Sequence, residues 1–349
     1  MKIRFLSRFI SSFSPVKVSY QELVSNANIE RKIEEGYGPD GLGIITIEHI
    51  PGYQEKRMAL LPLARRVALL PDDEKKELEL PQINYMMGWS HGKEFFEGTP
   101  DFSKGSFYAN PEVDKAPLYK GAFHDNVWPR SLPELRIAFR DLGQEIMRVG
   151  ALLARHLDKY ILARHKDYTP RTLEDIIKSH KNSAGRLLHY FPQVGSTHEW
   201  CGWHNDHSCL TGLTCPLYLN QTTGEVVNPN EVSDCKTGLF IKNRRGEMLK
   251  AHLTSDLLLY QIGETAQILS NGWLQATPHS VQTGGSLENV SRNTFAIFME
   301  PVPDFALKVS DNHERIFVEN EGIPSLRRRF KKGMTFGDFH NSTVAAFNY

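Results

Sequence analysis

The spacing of apolar residues changes character near Gly185. Upstream it is mostly helical. From Tyr53 to Leu70, Met58, Leu61, Val67 and Leu70 fall at helical spacing, and Pro71 ends the run. Ser131 is placed to cap a long helix reaching about Leu162, whose Leu135, Leu142, Ile146, Val149, Leu153 and Leu157 form one stripe. Thr172 with Asp175 has the form of a capping box for a short helix to about His180. A first strand is expected over Val16–Tyr20. Between Pro81 and Pro129, Gly, Pro and aromatic residues predominate, which reads as long ordered loops.

Downstream of Gly185 the apolar runs are short and β-rich: Leu187–Phe191, Leu210–Leu219, Gly238–Lys242, Leu257–Ile262, Gln267–Leu269 and Phe295–Met299. Turn residues separate them, as at Arg244-Arg245-Gly246 and Ser270-Asn271-Gly272. Short strands at regular spacing predict a sandwich or jelly roll. Asn220–Lys236 is polar and reads as an excursion loop. The expected class is α+β. A mainly helical region over 1–180 precedes a β core over 181–305, and a charged, partly helical tail over 306–349 packs on that core.

Composition narrows the function. The 349 residues are 40% hydrophobic, enough for one large core. Lys+Arg and Asp+Glu both number 41, so no charge excess points to nucleic acid or an anionic surface. No run approaches the roughly 18 apolar residues of a membrane helix. Cys201, Cys209, Cys215 and Cys235 show no C-x-x-C spacing, which favours free thiols in a reducing compartment over a zinc site. A cytoplasmic location is expected. The basic, Ser-rich stretch Met1–Tyr20 keeps a mitochondrial presequence as the alternative. Nothing in the sequence sets an oligomeric state.

The candidate chemistry begins with His-x-Asp, which occurs three times: His156/Asp158, His165/Asp167 and His204/Asp206. The motif alone therefore proves little. The first copy lies on the expected long helix, where residues two apart diverge. The second lies at that helix's end. The third lies among strands, where residues two apart share a face, so His204 and Asp206 can converge on one ion. His279, on a later β segment, could supply a third ligand; taken alone it reads better as a polar residue at a strand end. Two histidines and a carboxylate leave coordination positions open, which suits Fe(II). Arg292 and Thr294 are again two apart in a strand, and a guanidinium beside a hydroxyl can grip a carboxylate. Phe298 continues the same face, toward either a cavity or plain core.

These residues bring a family into view. The segment His204-Asn205-Asp206-His207-Ser208-Cys209-Leu210-Thr211 resembles the H-x-D-x-x-x-L-T motif of the isopenicillin N synthase-like branch of the Fe(II)/2-oxoglutarate-dependent dioxygenases. Gly238–Gly246 resembles that family's central hairpin. Ile262-Gly263-Glu264 through Ile268-Leu269-Ser270-Asn271-Gly272 resembles its I-G-[DE]…I-L-S-N-G stretch. His279 and Arg292-Asn293-Thr294 follow in order. The likeness is strong over about Gly185–Pro301. It implies a double-stranded β-helix, Fe(II) held by His204, Asp206 and His279, and 2-oxoglutarate held by Arg292 and Thr294. It also implies consumption of molecular oxygen, release of succinate and CO2, and oxidation of a small organic substrate, most simply by hydroxylation.

Some residues depart from the family pattern. Phe191 stands where the family often has a Tyr that touches the keto acid, and Tyr190 is expected to face the other way. The spacer between His279 and Arg292 is long, and Gly284-Gly285 suggests a turn inserted within it. Trp203, Phe191, Phe298 and His91 are candidate substrate contacts, with Trp200 and Trp273 adding aromatic surface. His91 belongs to a loop, Asn84–Gly92, that either reaches over the barrel mouth or packs ordinarily. Two alternatives stand beside the main reading: an iron oxidase of the same fold without 2-oxoglutarate, and a non-catalytic metal- or ligand-binding jelly roll.

Overall fold

The computed structural model describes residues 11–96, 99–115, 124–192, 198–232, 237–284 and 288–347. Cys235, Gly285 and most of the basic N-terminal stretch lie outside them. Two sheets form the core. The smaller runs in the order Ser11–Phe13, Met248–Ala251, Gly238–Lys242, His279–Thr283, His198–His204. The larger runs Val16–Ser19, Ile44–Glu48, Leu258–Ile262, Leu210–Thr214, Val290–Met299, Ala184–Tyr190, Lys104–Ala109, Gly88–His91, with Leu217–Asn220 also paired to Val290–Met299. The two sheets make the jelly roll expected of the β-rich half.

Two apolar clusters divide the interior. One lies between the sheets and includes Leu188, Tyr190, Trp200, Leu239, Ile241, Leu259 and Val281. The other joins the large sheet to the helices Tyr53–Ala68 and Glu134–Leu162 through residues such as Phe107, Phe139, Leu187, Phe295 and Ile297. Alternate residues of the large sheet thus serve alternate clusters, as strand geometry requires. Shifting a residue's parity by one moves it from the barrel interior to the helical side.

Several expectations need correction. The long helix is Glu134–Leu162, and no side chain caps it. Ser131 instead meets Glu74, its backbone N–H and hydroxyl donating at 2.9 and 2.7 Å. The helix Thr172–Ser179 also lacks a local capping box. Its cap is tertiary: the buried Asp158 carboxylate accepts the Leu173 and Glu174 N–H groups at 3.0 Å each, and the Tyr168 hydroxyl at 2.5 Å. The 81–129 stretch holds two strands of the large sheet, Gly88–His91 and Lys104–Ala109, alongside its loops. Gln267–Leu269 belongs to a helix, Glu264–Leu269, buried on every side. Three residues, two of them apolar, carry no readable period, so burial decided the conformation. The tail ends in a helix, Phe336–Phe347. We retain the divisions at 180 and 305 as a proposal about folding units only, since four strands from before residue 180 extend the large sheet.

Candidate active site

His204 ends one strand of the small sheet and His279 begins its neighbour, and the two are directly paired. Paired residues of antiparallel strands share a face, so both rings enter the barrel, with centroids 4.3 Å apart. Asp206 follows in the loop. Its Oδ1 lies 3.7 Å from His204 Nε2 and 3.6 Å from His279 Nε2. The far nitrogens face carbonyl oxygens: His204 Nδ1 that of Gly202 at 2.7 Å and His279 Nδ1 that of Thr277 at 3.3 Å. Such bonds orient an imidazole and leave Nε2 as the available ligand atom.

Electrostatics within the trio are uneven. Burial opposes charge on His204, but Cys201, 3.8 Å away, and Asp206 push its pKa up to about 9. Burial and the neighbouring His204 hold His279 down to about 4. Burial also works against the Asp206 carboxylate, yet His279 and His204 keep its pKa below the usual range. A bound cation would compete with protons for these three groups. Asp206 Oδ2 is buried with no hydrogen-bond partner among the described residues. An unpaired buried carboxylate oxygen beside two imidazoles fits a divalent ion such as Fe(II).

The Asp206 loop is held from below. Glu264 and Thr265 donate their N–H groups to the Asp206 and Ser208 carbonyls at 2.8 and 3.2 Å. Gly263 lets the chains approach this closely, because a Cβ there would lie 2.0 Å from the Ser208 carbonyl oxygen. The Glu264 carboxylate is clamped by Arg329 at 2.6 and 2.7 Å, both groups almost wholly buried. It also accepts Asn205 Nδ2 at 3.1 Å. The I-G-E segment thus supports the loop from behind. Its Arg partner comes from the tail and had no signature in the sequence.

Arg292 and Thr294 lie on the barrel-facing side of Val290–Met299, both buried. Arg292 sits opposite Tyr190, its guanidinium carbon 4.8 Å from that ring's centroid and 5.9 Å from that of Trp200. Its Nε and Nη1 have no hydrogen-bond partner among the described residues, and neither does Trp200 Nε1. The expected orientation of Tyr190 is therefore reversed. The register pairs Tyr190 with Arg292 and Leu188 with Thr294, so Tyr190 faces the anchor.

Phe191 packs instead with the helical cluster and lies against His91 at 4.8 Å and His189 at 4.7 Å, centroid to centroid. His91 ends an outer strand, its Nε2 3.2 Å from the Phe102 carbonyl oxygen. The structure thus groups His91 with Phe191, away from the triad. Trp203 is half-buried under Lys242, whose Nζ is 4.6 Å from its ring. Phe298, half-buried, pairs with Thr211 on the barrel-facing side. Trp273 packs with the outer cluster beneath Arg315, 3.7 Å from its ring, and is not brought to the site. Open grooves of about 400 Å³ line the long helix near Arg155 and contain none of these residues.

No protein-family model matches the chain. It is 25% identical to homoarginine-6-hydroxylase of Glycine max over 273 residues, 72% of each chain. A rice (Oryza sativa subsp. japonica) homoarginine-6-hydroxylase is 25% identical over 254 residues, 67% of this chain and 68% of that protein. Among solved structures, a 2OG-Fe(II) oxygenase family protein from Caulobacter crescentus superposes with a TM-score of 0.71 at 19% identity, covering 95% of this chain and 99% of its own. The chain thus shares the fold of 2OG-Fe(II) oxygenases and is similar in sequence to 2-oxoglutarate-dependent hydroxylases. The same fold appears in a full-length Neurospora crassa protein solved with alpha-KG and 5-formyluracil, with a TM-score of 0.66 at 16% identity over 95% of this chain and 96% of that one.

Proposed function

We propose that His204, Asp206 and His279 hold Fe(II) in this oxygenase, and that Arg292 with Thr294 holds the distal carboxylate of 2-oxoglutarate. The carrying observation is the buried Arg292, whose Nε and Nη1 have no partner among the described residues. An uncompensated buried cation costs several kcal/mol, and a dianionic keto acid supplies the missing charge. Bound iron would supply oxygen activation: 2-oxoglutarate is decarboxylated to succinate and CO2, one oxygen atom enters succinate, and the other enters the substrate C–H bond. The chain's own residues orient and enclose. Tyr190 and Trp200 bracket the guanidinium and exclude water from it, while Gly202 and Thr277 fix the imidazole rings.

The substrate is a small organic molecule. Relatives named for homoarginine, and a structural neighbour seen with 5-formyluracil, support that class. Phe298, half-buried on the barrel-facing side, is its proposed contact, whereas Trp203 lies against Lys242 on the face opposite His204. We assign the protein to the cytoplasm on its free Cys201, Cys209 and Cys215, which suit a reducing compartment. No helix among the described residues is long and apolar enough to cross a membrane.

The test is anaerobic titration of the Fe(II) protein with 2-oxoglutarate. A visible charge-transfer band is expected, and Arg292→Ala should weaken it severely. Absence of the band in the wild type, or no change in Arg292→Ala, overturns the assignment.

A further inference from the structure

Beyond the triad, three more potential ligands meet at its edge. His207 lies in the loop just after Asp206, Glu300 follows the Val290–Met299 strand, and His340 lies on the C-terminal helix Phe336–Phe347. One ligand atom from each falls within 4.8 Å of the others. His207 Nε2 is 2.9 Å from His340 Nδ1 and 3.6 Å from Glu300 Oε1. The set shares no residue with His204, Asp206 and His279.

We propose that His207, Glu300 and His340 form a second divalent metal site of the zinc type, clasping the C-terminal helix to the barrel rim. Two imidazoles and one carboxylate are a zinc donor set that leaves a fourth position for solvent. With bonds of about 2.0–2.1 Å, tetrahedral ligand atoms sit roughly 3.3 Å apart. The two measured separations, 2.9 and 3.6 Å, straddle that spacing. All three side chains are half-buried, so an ion could enter from solvent. The His207 ring is braced by Phe336, nearly parallel at 20° and 6.3 Å away, and this ring comes from the same helix as His340. The competing account is an imidazole–imidazole hydrogen bond with the carboxylate nearby. It needs no ion and predicts no metal beyond the first site.

Cobalt separates the two accounts, because tetrahedral Co(II) absorbs visible light far more strongly than the six-coordinate ion. Full-length protein, stripped of metal, is titrated with Co(II) and its metal content measured. The clasp predicts a second equivalent of cobalt accompanied by intense tetrahedral-type bands. His340→Ala and Glu300→Gln should each lose those bands and that equivalent, while His279→Ala should keep them and lose the other. Thermal melts with and without Zn(II) add a second reading: zinc should raise the melting temperature of His279→Ala but not of the double variant His279→Ala/His340→Ala. A wild type that takes up only one equivalent overturns the clasp, as does retention of both in Glu300→Gln and His340→Ala. Failure of the iron assignment shows instead in His279→Ala, so the two readings fail separately.

Discussion

Tyr190 stands directly opposite Arg292, with the guanidinium carbon 4.8 Å from the ring centroid. This pairing, not Phe191, completes the wall behind the proposed keto-acid anchor. A desolvated cation–π contact is worth about 0.5–2 kcal/mol. Tyr190→Ala should therefore raise the KM for 2-oxoglutarate roughly 2- to 30-fold, while Phe191→Leu should leave it nearly unchanged. Steady-state kinetics at saturating substrate checks both. A larger effect at Phe191 than at Tyr190 would contradict the register.

The three His-x-Asp copies should separate by experiment. His204→Ala and Asp206→Ala should lose iron. Asp158→Ala should keep it, yet destabilise the fold by about 1–3 kcal/mol, because the Leu173 and Glu174 N–H groups and the Tyr168 hydroxyl lose a shared acceptor. Iron content and denaturant midpoints report on the two effects. Iron loss in Asp158→Ala, with the fold intact, would sink the distinction.

Glu264 and Arg329 form a buried pair beneath the Asp206 loop. Removing one partner of such a pair costs about 3–5 kcal/mol, since the other charge stays buried. Arg329→Met should therefore lower stability by that order and also weaken iron retention, because Glu264 braces the Asp206 carbonyl and Asn205. Stability loss with unchanged iron affinity would confine the pair to a structural role.

Acid sensitivity should trace to Glu94. Burial opposes its charge, but Arg186 and Lys104 outweigh it and draw the pKa from 4.5 down to about 2. A depressed carboxylate contributes stability above its unfolded value and loses it as pH falls toward its native one. The contribution is no more than about 3 kcal/mol, because the group is partly wet. Glu94→Gln should thus be less stable than wild type near neutral pH, with the gap closing between pH 4.5 and about 2. Denaturant midpoints for both proteins across that range test it, and a gap of constant size would argue against the ion pairs.

The clustering of His204, Asp206 and His279 was legible in the sequence because strand parity and motif order acted together. His204, Asp206 and His279 come together in space as that pattern anticipates, with Arg292 and Thr294 facing the same interior. Tyr190 was not legible. Its orientation depends on which residue of Val290–Met299 lies opposite it, and neither strand's own alternation states that register. Ser131 and Thr172 misled for a related reason: local cap patterns lost to Glu74 and Asp158, which arrive from distant parts of the chain. The short run Gln267–Leu269 had no period to read, and Arg329 had no motif.

The Arg329–Glu264 clamp also imposes an order in time. During synthesis the Asp206 loop leaves the ribosome well before its lock, which lies 65 residues beyond Glu264. Until that arginine emerges, Glu264 is a charge awaiting its counterpart and the loop above it lacks its brace. On the proposed iron assignment, metal capture waits on Arg329, and a chain arrested or nicked before it would be a poor metal scavenger even with every triad residue already made.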